Sequence, residues 1–154
     1  MNELINEAKS ELKRVEHLFF VSLKYTRTAD VIRNLVERLI NSLGFGFDAF
    51  LEHAKKNKVI EKIPKAPRAK SQLLKEIYPD DEHLISFIEF YILLRDIKAA
   101  PYTKREEYRR HVTMTSEIAP GKFIDVDIDL LSEYLKKLHL FIEYIKEKIE
   151  LKKG

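Results

Sequence analysis

The stretch LSEYLKKLHLFIEYIKEKI, residues 131–149, carries the most regular apolar pattern in the chain. Its apolar side chains recur 3, 4, 7, 11, 14 and 18 residues after the first, a spacing that places them on one face of an α-helix. The seven positions are Leu131, Tyr134, Leu135, Leu138, Ile142, Ile145 and Ile149. Asp125 or Asp127 can cap the free backbone N–H groups of the first turn. The pattern predicts a long C-terminal helix with one buried face.

Two more segments near the N-terminus have the same apolar spacing. Residues 3–26 predict a first amphipathic helix. Thr28 or Asp30 can cap a second helix, which runs up to the motif GFGF. Gly44 and Gly46 in this motif are expected to kink or end that helix, because glycine is a poor helix former.

A basic connection follows between residues 55 and 75. It holds eight Lys and Arg residues against one acidic residue, Glu61, and Pro64 and Pro67 interrupt any helix there. A short helix is expected around residues 68–78. The basic residues have two interpretations, a solvated loop or a rim that contacts phosphate groups without reading a base sequence.

Another helix is predicted from the acidic cluster at residues 80–82 to about Ala99, because acidic side chains stabilise the positive N-terminal end of a helix. Its segment FIEFYILL is apolar almost all round. Such a helix belongs at the centre of a bundle or in a contact between subunits.

These elements predict a single domain over residues 1–154. The expected fold class is all-α, an antiparallel helical bundle of four main helices plus one or two short helices. Residues 112–126, which include VTMTS and APGKF, are expected to form a loop. A chain of this length buries about 68–70% of its unfolded surface and needs no covalent cross-links to fold.

The composition excludes several classes of site. The chain has no cysteine, so it has no disulfides, thiolate zinc sites or cysteine nucleophiles. Its N-terminus lacks the apolar core of a secretory signal, and no apolar run approaches the roughly 20 residues that span a bilayer. We expect a soluble, cytoplasmic protein without membrane contact. Abundant Lys and Glu and a single glutamine give a thermophile-like balance.

Metal and cofactor sites are not predicted. The segment DVDIDLLSE, residues 125–133, begins like a calcium loop, but Leu130 stands where that loop requires glycine and Lys136 where it requires glutamate. His139 and Glu143 are one helical turn apart, but they lack the companion carboxylates of a di-metal bundle. No glycine-rich phosphate loop or nucleophile elbow is present. We therefore expect no metal and no cofactor.

The stretch TKREEYRRHV, residues 103–112, is the candidate site. Thr103 and Glu106 have the form of a capping box, which predicts a helix from about residue 104. Two acid-to-base pairs with i,i+4 spacing would each support an exposed helix by about 0.2–0.5 kcal/mol, so a purely structural role is one interpretation. On a helix, six steps leave Arg105 and His111 roughly 120° apart around the axis. They converge only if the helix ends near His111 or a second subunit completes the site.

The other interpretation is chemical. An imidazole titrates near neutral pH, so His111 suits proton transfer. A guanidinium binds phosphate oxygens bidentately and stabilises added charge at phosphorus, which suits Arg105. The candidate phosphate-binding residues beside this catalytic pair are Lys104, Arg109 and Arg110, and Tyr108 is a candidate assisting residue.

The segments YILLRDIKAAPYTKREEYRRHVTM and FIDVDIDLLSEYLKKLHLFIEYIKEKI resemble the second half of HEPN domains (higher eukaryotes and prokaryotes nucleotide-binding), mainly over residues 80–152. The family signature is an arginine, four to six residues and a histidine near a helix end, followed by a long C-terminal helix. Arg105, five intervening residues and His111 fit it. Glu106 departs from the commonest form, in which Asn, Asp or His follows the arginine.

The resemblance implies a small all-α bundle, often dimeric, and in many members a metal-independent RNase. In the active form, an RNA 2′-hydroxyl attacks the neighbouring phosphodiester, with His111 as general base or acid and Arg105 neutralising the phosphate. The expected partners are RNA, a second copy of the chain and a nucleotidyltransferase-type antitoxin. The alternative is a non-catalytic helical interaction module that binds a protein or a nucleotide.

Overall fold

The computed structural model describes residues 2–150 and shows a mainly helical protein with one small antiparallel sheet. The elements in chain order are α1 Asn2–His17, the π-helical segment π1 Leu18–Ser22, α2 Leu23–Tyr25, α3 Ala29–Lys56, α4 Pro67–Ile77, α5 Glu82–Ala99, β1 Tyr102–Arg105, β2 Thr113–Ala119, β3 Lys122–Val126, α6 Ile128–Ile145 and the π-helical segment π2 Lys146–Glu150.

The starts of α3 and α6 confirm two of the capping predictions. Thr28 Oγ1 accepts a hydrogen bond from the backbone N–H of Val31 at 3.3 Å at the start of α3. Of the two aspartates considered for α6, Asp127 is the cap, and its Oδ1 accepts from Leu130 N at 2.9 Å. Asp81 caps α5 in the same way. These bonds satisfy N–H groups that have no partner within the helix.

The expectation that the GFGF motif kinks or ends the second helix is wrong, because α3 continues through both glycines to Lys56. Gly46 has a packing role instead. A Cβ atom at this position would lie 2.4 Å from Cε2 of Phe141 and 2.6 Å from Cδ1 of Ile145. The missing side chain therefore lets α6 approach the backbone of α3 closely.

The core lies around α3, which contacts α1, α5 and α6. The buried Ser42 hydroxyl donates to the carbonyl of Ala8 at 2.8 Å, which ties α3 to α1. The ring of Phe47 packs edge-on against Tyr91 of α5 and Phe141 of α6, with centroids 5.2 and 5.3 Å apart. The apolar segment of α5 is thus a core element, as its composition predicts.

A three-stranded antiparallel sheet of order β1-β2-β3 replaces both the helix expected from residue 104 and the loop expected over residues 112–126. Val112, just before β2, and Met114 and Ser116 within it are fully buried, while Thr115 and Glu117 are partly exposed, so one face of the strand lies on the core. Thr113 departs from this two-residue period, since it is also buried. The turn between β2 and β3 is formed by Pro120 and Gly121, and Gly121 has the positive φ of 74° that a type II turn requires. The all-α prediction is therefore corrected to a mainly α fold with a sheet.

The short helix expected around residues 68–78 is present as α4. Two of the basic residues in this region belong to that helix and pair with neighbouring helices. Lys70 Nζ lies 2.8 Å from Asp48 of α3, and Arg68 Nη2 lies 3.4 Å from Asp96 of α5. These two charges are therefore compensated within the protein. Over residues 2–150, the helices are too short or too polar to cross a membrane.

Candidate anion-binding cleft

A cleft of about 390 Å³ opens beside the connection between β1 and β2. One wall is this connection, a second is the first turn of α6, and a third is the residue that precedes the cap of α3. The basic residues of the lining are Arg27, Arg105, Arg110 and His111. They come from two regions of the chain that are far apart in sequence.

Strand pairing brings Arg105 and His111 to the same cleft. Arg105 is the cross-strand partner of Thr113 in the β1–β2 pair. The Thr113 hydroxyl donates to the carbonyl of His111 at 2.9 Å, which fixes the backbone two residues earlier. Because residues 102–105 are a strand and not a helix, the separation of about 120° around a helix axis does not apply.

The connection between β1 and β2 is anchored to the start of α3 by two hydrogen bonds. Tyr108 N donates to the carbonyl of Arg27 at 2.6 Å, and Ala29 N donates to Oε2 of Glu107 at 3.0 Å. The bond from Ala29, together with Lys104 at 3.3 Å, holds the pKa of the Glu107 carboxyl below its usual range. Glu107 thus acts as an intramolecular anion at the positive end of α3.

The backbone of this connection is strained. Glu106 and Tyr108, on either side of Glu107, have φ values of 58° and 66°. Residues with a side chain adopt this left-handed region at a cost of about 1–3 kcal/mol, and such positions cluster at functional sites. One hydrogen bond to Arg27, just before the cap of α3, and one from Ala29, the first residue of α3, hold this backbone in place.

Arg105 does not present a free charge to the cleft. Its Nη2 lies 3.1 Å from Oδ2 of Asp125, and its Nη1 donates to the Thr115 hydroxyl at 3.2 Å. The hydrogen bond from Thr115, and then Arg105, keep the pKa of Asp125 below its usual range. Both members of the ion pair are more than half exposed, at 58% and 52%. An exposed pair of this kind contributes about 0–1 kcal/mol, so an anion can displace it.

The acidic residues of the lining are Glu106, Asp127 and Asp129. With His111 neutral, they balance the three arginines in formal charge. Asp127 is engaged as the cap of α6. Among the residues that the structure describes, Arg27 and Arg110 form no ion pair, and Nε of Arg27 is buried without a hydrogen-bond partner. These two guanidinium groups are the donors most available to a bound anion.

The other predicted site residues lie outside this cleft lining. Lys104 is paired with Glu107, Tyr108 has a 76% exposed side chain, and Arg109 is also exposed. Arg27 is the basic residue of the lining that the sequence pattern did not predict. Its position just before the Thr28 cap, at the positive end of α3, is a signal for anion binding, but nothing in the sequence links it to the region of residue 105.

Within residues 2–150, no group of three or more His, Asp or Glu side chains is arranged to hold a metal ion. No protein-family model matches the chain, and no curated protein or solved structure is significantly similar to it.

Proposed function

We propose that the cleft binds the phosphodiester backbone of RNA and that the protein is a HEPN-like, metal-independent endoribonuclease. The observation that carries the proposal is that Arg105 and His111, separated by five residues, line one cleft. In this proposal the four long helices α1, α3, α5 and α6 correspond to the antiparallel bundle of such a domain.

The chemistry needs a proton-transfer group beside a charged phosphate-binding group. His111 would take the proton of an RNA 2′-hydroxyl, whose oxygen then forms a bond to phosphorus as the bond from phosphorus to the 5′-oxygen breaks. The products are a 2′,3′-cyclic phosphate and a 5′-hydroxyl, whose oxygen takes its proton from water or from a second, protonated His111 as it leaves phosphorus. Arg27 and Arg110 would hold the phosphate, because their guanidinium groups carry no competing carboxylate.

Arg105 has a conditional role. Its charge reaches a phosphate only when the exposed pair with Asp125 opens or when its remaining N–H groups contact the ligand. The exposed pair contributes only about 0–1 kcal/mol, so a phosphate of bound RNA can compete with Asp125 for the Arg105 guanidinium.

Two copies of the chain that meet at this cleft would allow one His111 to act as base and the other as acid. The homodimer and a nucleotidyltransferase-type antitoxin belong to the same proposal. A protein that stays monomeric at high concentration and still cleaves RNA would remove the shared-site version.

The test is cleavage of mixed RNA with and without a chelator. The variants are Arg105→Ala, His111→Ala and Arg27→Ala, and Arg109→Ala is the matched control because this arginine lies in the same connection but outside the cleft lining. Loss of a proton-transfer group lowers the rate by about 10²–10⁴-fold, so His111→Ala should be the most severe. We expect chelator-resistant cleavage that falls in the first three variants and persists in the control. Wild-type activity in all four variants would refute the proposal.

Nucleotide binding without cleavage is the second candidate, and the unpaired Arg27 and Arg110 favour it. RNA affinity would then fall with salt and in Arg27→Ala, while no product appears. An unchanged affinity in Arg27→Ala and Arg110→Ala would exclude the cleft as the binding surface.

A further inference from the structure

A second groove, which shares no lining residue with the cleft, lies between α1 and α3. Its volume is about 420 Å³, within the range of small-molecule sites. Its cationic side chains are Lys13, Arg14 and Arg38, with His17 beside them. Leu18, at the start of π1, supplies an apolar surface in the same groove.

A buried carboxylate fixes two of these arginines. Glu11 is only 5% exposed, and its Oε1 lies 3.2 Å from Nη1 of Arg14 and 3.1 Å from Nη1 of Arg38. Nη1 of Arg38 also donates to Oε2 at 3.3 Å. A buried charge of this kind is costly unless it is paired, so Glu11 holds both guanidinium groups at the groove.

The arrangement leaves positive charge for a ligand. Two guanidinium groups share the single charge of Glu11, and their side chains are 53% and 42% exposed. The contacts with Glu11 use only Nη1 of each arginine, so in the described part of the chain Nε and Nη2 of both are available as donors.

The acidic residue of the lining does not cancel this excess. Oε1 of Glu37 lies 2.7 Å from Nζ of Lys98, and this contact holds the pKa of the Glu37 carboxyl below its usual range. Lys13 forms no ion pair with any residue that the structure describes. Four cations therefore face two carboxylates around the groove, and two positive charges are uncompensated while His17 is neutral.

We propose that this groove is a binding site for a small organic phosphate, with the phosphate held by Arg14 and Arg38 and the organic part resting on Leu18. Planar guanidinium groups bind phosphate oxygens bidentately, and here two of them are positioned in advance by one carboxylate. Lys13 adds a point charge at the rim. The site is independent of the proposed RNA cleavage.

The test uses adenosine 5′-monophosphate as the probe and adenosine as the matched ligand without phosphate, with binding measured by calorimetry. We expect the monophosphate to bind at least tenfold more tightly than adenosine and to weaken about tenfold in Arg38→Ala. Arg38→Lys keeps a positive charge beside Glu11 but loses the fork, so it should fold and still bind weakly. Lys13→Ala should reduce affinity to a smaller extent.

Lys136→Ala is the control, because this exposed lysine lies outside both the groove and the cleft, and it should leave monophosphate binding unchanged. Arg110→Ala removes a cationic side chain of the cleft and distinguishes the two sites. Equal affinity for adenosine and its monophosphate would overturn the proposal, and so would unchanged binding in Arg38→Lys. Binding that is lost in Arg110→Ala and kept in Arg38→Lys would assign the phosphate to the cleft instead. RNA that displaces the monophosphate from the wild type but not from Arg110→Ala would also assign the phosphate to the cleft.

Discussion

Replacement of Gly46 by alanine tests whether α3 and α6 are held together by the absence of a side chain. The new Cβ would lie 2.4 and 2.5 Å from two ring atoms of Phe141 and 2.6 Å from Cδ1 of Ile145, whereas ordinary contacts of a Cβ atom lie at 3.4–4 Å. The overlap is therefore about 1 Å with two side chains that are fully buried.

Two opposing free energies decide the outcome. Alanine is a better helix former than glycine by about 1 kcal/mol, which favours the variant. Extra atoms in a packed core cost about 1–3 kcal/mol, and the buried ring of Phe141 has little space to move, so the upper part of that range applies. We expect a net destabilisation of about 1–2 kcal/mol, which lowers the melting temperature by about 2–8 °C for a protein of this size.

Gly44→Ala is the matched control in the same helix. The nearest atom to a Cβ at this position is the Tyr91 hydroxyl at 3.8 Å, an ordinary contact, so the helix propensity should dominate and stabilise the protein by about 0.5–1 kcal/mol. Urea unfolding followed by circular dichroism measures both variants. Equal stability of Gly46→Ala and Gly44→Ala would refute the close approach of α6. A Phe141→Leu substitution should relieve part of the loss in Gly46→Ala, a coupling that a double-mutant cycle detects.

Three further predictions concern the helix ends and the cleft. The pKa of Glu107 is below its usual 4.5, so its carboxylate stabilises the fold fully above that pH and progressively less as the pH falls below it. The melting temperatures of wild type and Glu107→Gln should therefore differ near pH 7 and converge as the pH falls below 4.5. A difference that stays constant would contradict the contact with α3. Asp81→Ala removes the cap of α5 and the acceptor of the Tyr144 hydroxyl. In urea titrations it should lower the free energy of unfolding by about 1–3 kcal/mol. A loss under about 0.5 kcal/mol would show that these two bonds do not stabilise the fold. Asp129→Asn removes a negative charge from the cleft lining, so the affinity for RNA, measured by fluorescence anisotropy, should rise. An unchanged RNA affinity would argue against RNA binding in the cleft.

The helices are predictable because their signals are local. The apolar stripe that begins at Leu131 is continuous over five turns, and Thr28 and Asp127 occur where a chain must change from extended to helical backbone. The prediction that α3 is kinked or ends at Gly46 is wrong because it also relied on a local signal alone. Helix propensity describes the isolated segment, whereas here the packing of Phe141 makes glycine the favourable residue.

The sheet was missed because two local signals compete in the same stretch. Thr103 and Glu106 form a sequence pattern typical of a helix start, while the alternation from Val112 to Ile118 is short. Contacts of β2 with α5 and α3 decide the competition, since the strand packs against these helices and its Met114 is fully buried. The Pro120–Gly121 pair between two short runs was the available hairpin signal.

The candidate cleft was predictable only in part. The spacing of Arg105 and His111 singled out a segment that lines the cleft, although by way of a helix that is not formed. The contribution of Arg27 depends on contacts such as that between Ala29 and Glu107, which lie 78 positions apart. No local pattern in a single sequence contains such a contact.

The two bonds that tie the β1–β2 connection to the start of α3 bear on any attempt to transplant this region. A fragment that begins near residue 80 would retain Arg105, Arg110 and His111 but would lose the carbonyl of Arg27 and the N–H of Ala29. Released from those partners, the left-handed residues Glu106 and Tyr108 would relax to ordinary backbone, and the histidine and arginine would lose their common orientation. A graft of this region onto another scaffold would therefore have to include the junction ahead of α3.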